Sequence, residues 1–297
     1  MQSWREDESV LLHKTGLTRT ELEFVWGTAK HTLIEHYSQH HTQRESPMSP
    51  FESLLVTLYW LRVYPSTRSI ASEFGTDVKR IQEILDHTLH ALFTTLVPAC
   101  FNDSEPPPVV FRRGILAGVS AVVDSTFITL PHNSDKDERK KNYHYKSPTK
   151  QALKFQLFVT PDGMPWHLSK VVHGSKADIK LLRQSELMDS IAFTSSILGD
   201  KGYIGERRII TPTKKPRLAD VKATDKKDNK KINSKRVVVE NCLHQFKKWS
   251  ILGSVYRGEW RGDEELQKVT RIVHVVGALV VRYLMAHPLR ASSDAHD

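Results

Sequence analysis

Asp124, Asp200 and Glu240 are the residues whose types and settings invite chemistry. Asp200 ends the short apolar stretch Ser196-Ile197-Leu198-Gly199, of strand rather than helix length, and Gly199 and Gly202 flank it. Glycines there let backbone pack close to whatever the carboxylate holds. Asp124 follows Val122-Val123 inside a segment rich in Val, Ile, Thr and Phe, 119–130. A carboxylate so placed is costly to desolvate unless something positive meets it. Glu240 steps with His244 and Lys247 along one helical face, away from the apolar stripe Val239, Cys242, Phe246 and Trp249. Carboxylates gathered within about 4–6 Å raise one another's pKa, and a divalent cation reverses that cost. Mg²⁺ takes oxygen ligands and is usually held by one or two carboxylates plus substrate phosphate. Two such ions activate a water and stabilise the leaving oxygen of a phosphodiester. Three acids shared between two metals would fit that need.

The elements that must position these acids are legible around them. Lys154 to Thr160 alternates Phe155, Leu157 and Val159 before the turn Pro161-Asp162-Gly163, and Trp166 to Val172 is a further strand. With 119–130 they predict an antiparallel meander. A helix opens at Ser175 or at Ala177-Asp178 and carries Ile179, Leu181, Leu182 and Leu187. The Asp200 strand and a short strand from Arg208 to Thr211 follow, giving the order β-β-β-α-β-β-α and an α/β (α+β) fold class. Residues 213–235 hold Lys214, Lys215 and seven further Lys or Arg and are read as a basic loop. Such a loop either lies along phosphates, serves as a nuclear-import patch or is merely solvated. Helix resumes from Ser234, and a last helix runs from Glu264 to Met285. Its apolar part is broken by Arg271, His274 and Arg282, so it reads as buried rather than membrane-spanning.

The N-terminal third is helical in pattern. Leu22, Val25, Trp26, Ala29, Leu33 and Ile34 recur at helical spacing. The following histidines, His36, His40 and His41, read as a solvated helix end rather than a metal site. Ser49-Pro50 opens a second helix. From Arg68 to Leu85 a short helix with Ile70, Ala71 and Phe74, a turn at Gly75, and a helix capped by Asp77 make a helix-turn-helix pattern at about 49–90. Its second helix would present Lys79, Arg80 and Gln82 outward; an ordinary helical hairpin with solvated charges is the alternative. Pro98 and Pro106-Pro107-Pro108 bracket a linker. The expected organisation is a helical domain at 1–97, a Pro-rich linker at 98–114, a catalytic domain at 115–287 and a loose tail at 288–297.

Composition narrows the partners. The 297 residues are 39% hydrophobic, enough for a sizeable core, and 43 Lys and Arg against 34 acids give a net charge of +9. That balance favours nucleic acid over membrane. Two separated cysteines, Cys100 and Cys242, form neither a disulfide framework nor a zinc site and suit a reducing compartment. The stretch Met1 to Lys14 lacks a signal-peptide apolar core, so a soluble intracellular protein is expected.

Six segments carry a family resemblance: AVVDSTFITLP, KNYHYKSPTKQALKFQLFVTPDG, HGSKADIKLL, ILGDKGYIG, TPTKKP and RVVVENCLHQFKKWSIL, in that order over about residues 115 to 285. Together they resemble a DDE transposase of the RNase H-like superfamily, of the kind shared by PIF/Harbinger elements and related bacterial insertion sequences. SPFESLLVTLYWLRVYPSTRSIASEFGTDVKRI resembles the helix-turn-helix that precedes such domains. The resemblance implies an RNase H-like mixed sheet and a catalytic triad of Asp124, Asp200 and Glu240. Asp178, in GSKAD, is implied as an auxiliary acid or metal contact, with helix capping as the alternative. It implies Mg²⁺ or Mn²⁺, two ions, as cofactor, and double-stranded DNA as substrate, cut at element ends and joined through a 3′-hydroxyl. It also implies a homo-oligomer, and a nuclear location in a eukaryote or a cytoplasmic one otherwise. Relatives of the Harbinger kind can rely on a separate Myb-like DNA-binding partner. Lys201, Lys247 and Lys248 are read as phosphate contacts, beside Lys214 and Lys215 of the loop. Ser125 and Phe127 depart from the family pattern, where relatives often have Gly and a polar residue. The rival readings are a domesticated DNA-binding protein and a nuclease without strand transfer.

Overall fold

A computed structural model of the chain describes residues 4, 6–40, 48–101, 116–185, 187–190, 195–214 and 223–290. They form two compact units. One holds the described residues up to Phe101 together with Phe246–Tyr283, and the other holds those from Leu116 to Gln245 together with those after Tyr283.

In the first unit, local signals set the helix ends. Helix α1, Glu8–Thr15, is capped by Asp7, whose Oδ1 accepts from the Ser9 N–H at 2.8 Å, and ends on Gly16 at φ +74. Helix α2 is Arg19–His40. Helix α3, Pro50–Val63, starts with a reciprocal capping box between Ser49 and Glu52. Helix α4, Thr67–Glu73, and helix α5, Val78–Cys100, are separated by a turn with Gly75 at φ +63. Asp77 caps α5, accepting from the Arg80 N–H at 2.8 Å. Trp4, Met48, Val56, Tyr59, Ile70, Ile81 and Leu85 pack together as a core. His36 stacks on His87 at 5.7 Å and meets His90 edge-on at 6.1 Å, so it does not stand alone in solvent; His41 lies outside the described residues.

Pro98 does not open a linker. It sits inside α5, which continues to Cys100. A proline inside a helix costs about 3 kcal/mol, whereas burying Leu92 and Leu96 contributes about 1.5–3 kcal/mol each. The remaining linker residues, 102–114, fall outside the described residues. The last long helix, Asp263–Ala286, is the one helix among the described residues long and apolar enough to cross a membrane. In this structure 61% of its apolar window is buried, with Val269, Ile272, Val276 and Leu279 fully enclosed.

The second unit is built on a six-stranded mixed sheet of order β3-β2-β1-β5-β6, with β4 also pairing to β2. The strands are β1 Val119–Thr129, β2 Ala152–Val159, β3 Pro165–Leu168, β4 Val172–His173, β5 Ser196–Leu198 and β6 Ile209–Ile210. β1, β2 and β3 form the antiparallel meander; β5 runs parallel to β1 and to β6. The strand read at Trp166 to Val172 is two strands. The Ser169 hydroxyl accepts from the Gln156 N–H at 2.9 Å and donates to the Lys170 carbonyl, taking the place of one ladder bond, while the Ser169 N–H still donates to the Gln156 carbonyl at 3.0 Å. Val123, Phe158, Trp166, Leu182, Ile197 and Tyr203 make one buried cluster.

The lysine-rich loop is also corrected. Residues 223–235 are the first turns of one long helix, Ala223–Lys247. Lysine is a good helix former, and charge by itself does not specify a loop. Lys215, Arg217 and Lys222 lie outside the described residues.

Asp77→Ala removes the cap of α5 and is expected to destabilise the helical unit by about 1 kcal/mol. Trp4, Trp26, Trp60, Trp249 and Trp260 all belong to that unit. Urea unfolding followed by tryptophan fluorescence should therefore show a lower midpoint.

Candidate active site

The sheet carries Asp124, inside β1, and Asp200, just past the end of β5, towards one region. Val122 pairs with Leu198 across the parallel β1–β5 ladder. Asp124 and Asp200 each stand two residues beyond that pair, and neighbouring strands are about 4.8 Å apart. Asp200 then caps a single 3-10 turn, Lys201–Tyr203, and its Oδ1 accepts from the Gly202 N–H at 2.7 Å. The flanking glycines have distinct jobs. A Cβ at Gly199 would lie 2.8 Å from Ile209 and 2.9 Å from the Tyr203 ring. One at Gly202 would lie 2.8 Å from Asp200 Oδ1 and 2.9 Å from Asp178 Oδ2. Those two carboxylate oxygens therefore stand within about 6 Å of one another, close enough to couple.

Asp178 begins the helix Asp178–Arg183 but does not cap it. Ala177 is the cap residue, with no side-chain cap bond. Instead Asp178 Oδ1 accepts from Lys154 Nζ at 3.0 Å, and Lys154 is only 8% exposed. Lys154 also donates to the Lys176 carbonyl. Two positions on, Gln156 Nε2 donates to the Asp178 carbonyl at 2.8 Å and to the Tyr203 hydroxyl at 2.8 Å. Tyr203 Oη and Ser125 Oγ are 3.1 Å apart. The residue after Asp124 is thereby tied to the elements carrying Asp178 and Asp200.

Arg236 was not singled out by sequence reasoning. Its Nη2 lies 3.6 Å from Asp124 Oδ2, with 11% of the arginine side chain exposed. Its Nε is buried without a hydrogen-bond partner. The readable signal was spacing: Arg236 precedes Glu240 by four residues, so both share a helix face. Lys154 and Gln156 were readable as polar interruptions in the apolar run of β2.

Burial pushes the Asp124 carboxyl up to about 6. The Ser125 N–H and Arg236 oppose that shift, while Asp200 and Glu240 add to it. All three acids thus act on one region. Glu240 itself is exposed, next to buried Val238 and Val239. Among the described residues, however, no group of three or more His, Cys, Asp or Glu side chains stands close enough to hold an ion. The donor chemistry suits a hard divalent cation, since every acid of the set offers oxygen and Gly202 leaves room between two of them.

The basic residues divide. Lys79, Gln82, Lys201, Lys214 and Lys248 are exposed. Arg80 pairs with Glu83 at 3.1 Å. Lys247 departs from a phosphate role: its Nζ donates to the Leu252 carbonyl at 3.0 Å, and burial lowers its pKa to about 8.

A mixed sheet with helices, carrying Asp124 inside β1 and Asp200 just beyond β5, defines an α+β domain. Residues 123–280 match the family model described as DDE superfamily endonuclease. That is more than half of the chain, which therefore belongs to this family. The match takes in Asp124, Asp178, Asp200 and Glu240. Membership implies a DNA-cutting enzyme, of a kind that generally uses divalent metals such as Mg²⁺. Searches of curated proteins and of solved structures found no match.

Two outcomes follow. The folded-state pKa of Asp124 lies above its ordinary 3.8, so without metal the folded state binds the proton more tightly than the unfolded chain. The contribution of this carboxyl to stability is then greatest below pH 4 and falls as pH rises towards 6. The stability of Asp124→Asn relative to wild type should rise by the order of 2 kcal/mol across that window, read from urea unfolding in chelator. Gly202→Ala pushes Asp178 and Asp200 apart and should weaken Mn²⁺ binding roughly tenfold or more, measured calorimetrically.

Proposed function

We propose that the protein cuts DNA phosphodiester bonds at the ends of a mobile element and joins the freed 3′-hydroxyl to target DNA. The observation that carries this is that Asp200, just beyond β5, and Glu240 both act on Asp124 of the neighbouring parallel strand β1, in a chain of the DDE family. Asp124, Asp200 and Glu240 would hold divalent metal, two ions in the full reading, with Asp178 as the auxiliary acid. Such ions, when bound, activate water and stabilise the leaving oxygen.

The chain's own residues have separable tasks. Asp200 is fixed by the Gly202 N–H, so its free oxygen is presented in one direction. Arg236 balances Asp124 and is placed to meet a phosphate once that balance is supplied otherwise. Lys201, exposed beside Asp200, is suited to a phosphate oxygen. Lys79 and Gln82, exposed at the start of α5 behind the Gly75 turn, are assigned to element-end DNA in a helix-turn-helix at 49–90. Lys214, Lys215 and Lys248 extend the phosphate track. Residues 115–287 are assigned as the catalytic segment. The PIF/Harbinger type, homo-oligomerisation, a Myb-like partner and a nuclear site of action in a eukaryote belong to this same reading.

A second reading, a domesticated DNA-binding descendant, is favoured by the Arg236–Asp124 pair and by the unclosed set of acids. A supercoiled plasmid with Mg²⁺ or Mn²⁺ separates them. Asp200→Asn is expected to bind DNA as wild type does and to lose nicking by at least about 10²-fold. Undiminished nicking by the variant would overturn the assignment. Joining of a labelled 3′-hydroxyl oligonucleotide to the plasmid distinguishes strand transfer from nuclease action alone.

A further inference from the structure

The connection between β1 and β2 has no task in the scheme above. It contains a short helix, Lys136–Lys141, capped by Asp135, whose Oδ1 accepts from the Asp137 N–H at 2.8 Å and the Glu138 N–H at 3.0 Å. Beside it lies a cleft of about 620 Å³ lined by His132, Lys136, Arg139, Lys140, Tyr143 and Lys150, among others. Lys136, Arg139 and Lys140 stand three and four residues apart, so they share one helix face. Among the described residues none of them forms an ion pair. Of the acids nearby, Asp135 caps the helix, Glu138 takes Lys141 at 3.5 Å and Asn142 Nδ2 at 3.1 Å, and Asp137, exposed on the same helix, is not among the residues that line the cleft. Lys150 reaches the cleft from a backbone at φ +60, a conformation non-glycine residues rarely adopt. Its Nζ donates to the Tyr145 carbonyl at 2.9 Å, which leaves its charge unbalanced. Tyr143 and Tyr145 are 53% and 65% exposed. A concave surface lined by one sign of charge focuses its field and repels itself until an anion enters.

Position says which anion. β1 carries Asp124 and ends at Thr129, which pairs with Ala152 at the mouth of this connection. Five residues of extended strand cover roughly 17 Å. Phosphates along one strand of a duplex advance about 3.4 Å each, so that span equals about five nucleotides. We propose that this cleft grips backbone phosphates of the substrate DNA about five nucleotides from the bond to be cut. Lys136, Arg139 and Lys140 supply charge, and the Tyr143 hydroxyl supplies a hydrogen bond. The inference rests on the DNA-cutting reading and adds to it a second point of grip, on the flank rather than at the scissile bond.

The test measures binding rather than cutting. Wild type, K136A/R139A/K140A and the charge-keeping K136R/R139K/K140R are first matched by circular dichroism. Each is titrated in chelator with a labelled duplex bearing a pre-cut 3′-hydroxyl end, at several salt concentrations. The alanine variant is expected to bind roughly tenfold more weakly and to lose about 2 to 3 from its log–log salt slope. It should also lose ethylation interference at phosphates about five nucleotides from the end. The charge-keeping variant should retain all three. Binding by wild type that the alanine variant keeps, with an unchanged slope, would overturn the cleft alone. No DNA binding by wild type would overturn the functional reading and the cleft together. Inorganic phosphate bound by wild type and not by the alanine variant, with duplex affinity and salt slope the same in both, would assign the cleft to a small free anion and overturn the proposal.

Discussion

The cost of burying a carboxylate inside β1 is the constraint around which the sheet-containing unit is arranged. Burial is the largest cause that draws the Asp124 carboxyl towards its neutral form, and Asp200 and Glu240 add to it. An unpaired buried charge costs several kcal/mol, a large share of a typical net stability of about 5–15 kcal/mol. The neighbours answer that cost one by one. Arg236 stands 3.6 Å from Asp124, Lys154 stands 3.0 Å from Asp178, and the Gly202 N–H binds Asp200.

Strand alternation then separates two kinds of support. Side chains of successive β1 residues point to opposite faces, so Asp124 and Ser125 serve different neighbourhoods. Asp124 meets Arg236, which shares a helix face with Glu240. Ser125 joins Gln156, Tyr203 and, through Gln156, the backbone of Asp178. This second group is buried, neutral and hydrogen-bonded, so it fixes position without adding charge. The first group is charged and partly open, so it can change partners when a cation or a phosphate arrives. An acid held between a rigid neutral network and an exchangeable cation can tighten on a ligand without moving the sheet.

Legibility in the sequence followed the range of the forces involved. The meander, the Asp77 and Ser49 caps, the Gly75 turn and the Asp200 strand end all rest on interactions within a few residues, and their residue types name them. Errors arose where a distant contact overrode a local preference. Pro98 stays helical because Leu92 and Leu96 are buried. Trp166 to Val172 breaks because a Ser169 hydroxyl displaces a ladder bond. Lys247 is drawn inward by the Leu252 carbonyl, which no spacing rule announces. Arg236 was missed for a different reason. Its partner is more than a hundred residues away, and only its four-residue offset from Glu240 hinted at a shared task. The Lys136–Lys141 helix was within reach, since Asp135 capping a basic run is a local signal.

The long helix Ala223–Lys247 shows how one element answers to two environments. From Val238 onward it is held by burial, with Val238, Val239 and Cys242 enclosed. Before that, Lys226 and Lys230, Lys227 and Lys231, and Lys231 and Lys235 lie four residues apart. Each like-charge pair costs about 0.2–0.5 kcal/mol. Positive charge near a helix N-terminus also opposes the dipole. Among the described residues of this stretch only Ile232 is deeply buried, and Asn229 clasps the Thr213 backbone from outside. Asp225 in the first turn favours the dipole, and Asp228 stands three residues before Lys231, so acids offset part of this repulsion. Arg236 and Glu240, farther down the same rod, stand on the stretch that burial of Val238, Val239 and Cys242 holds in place.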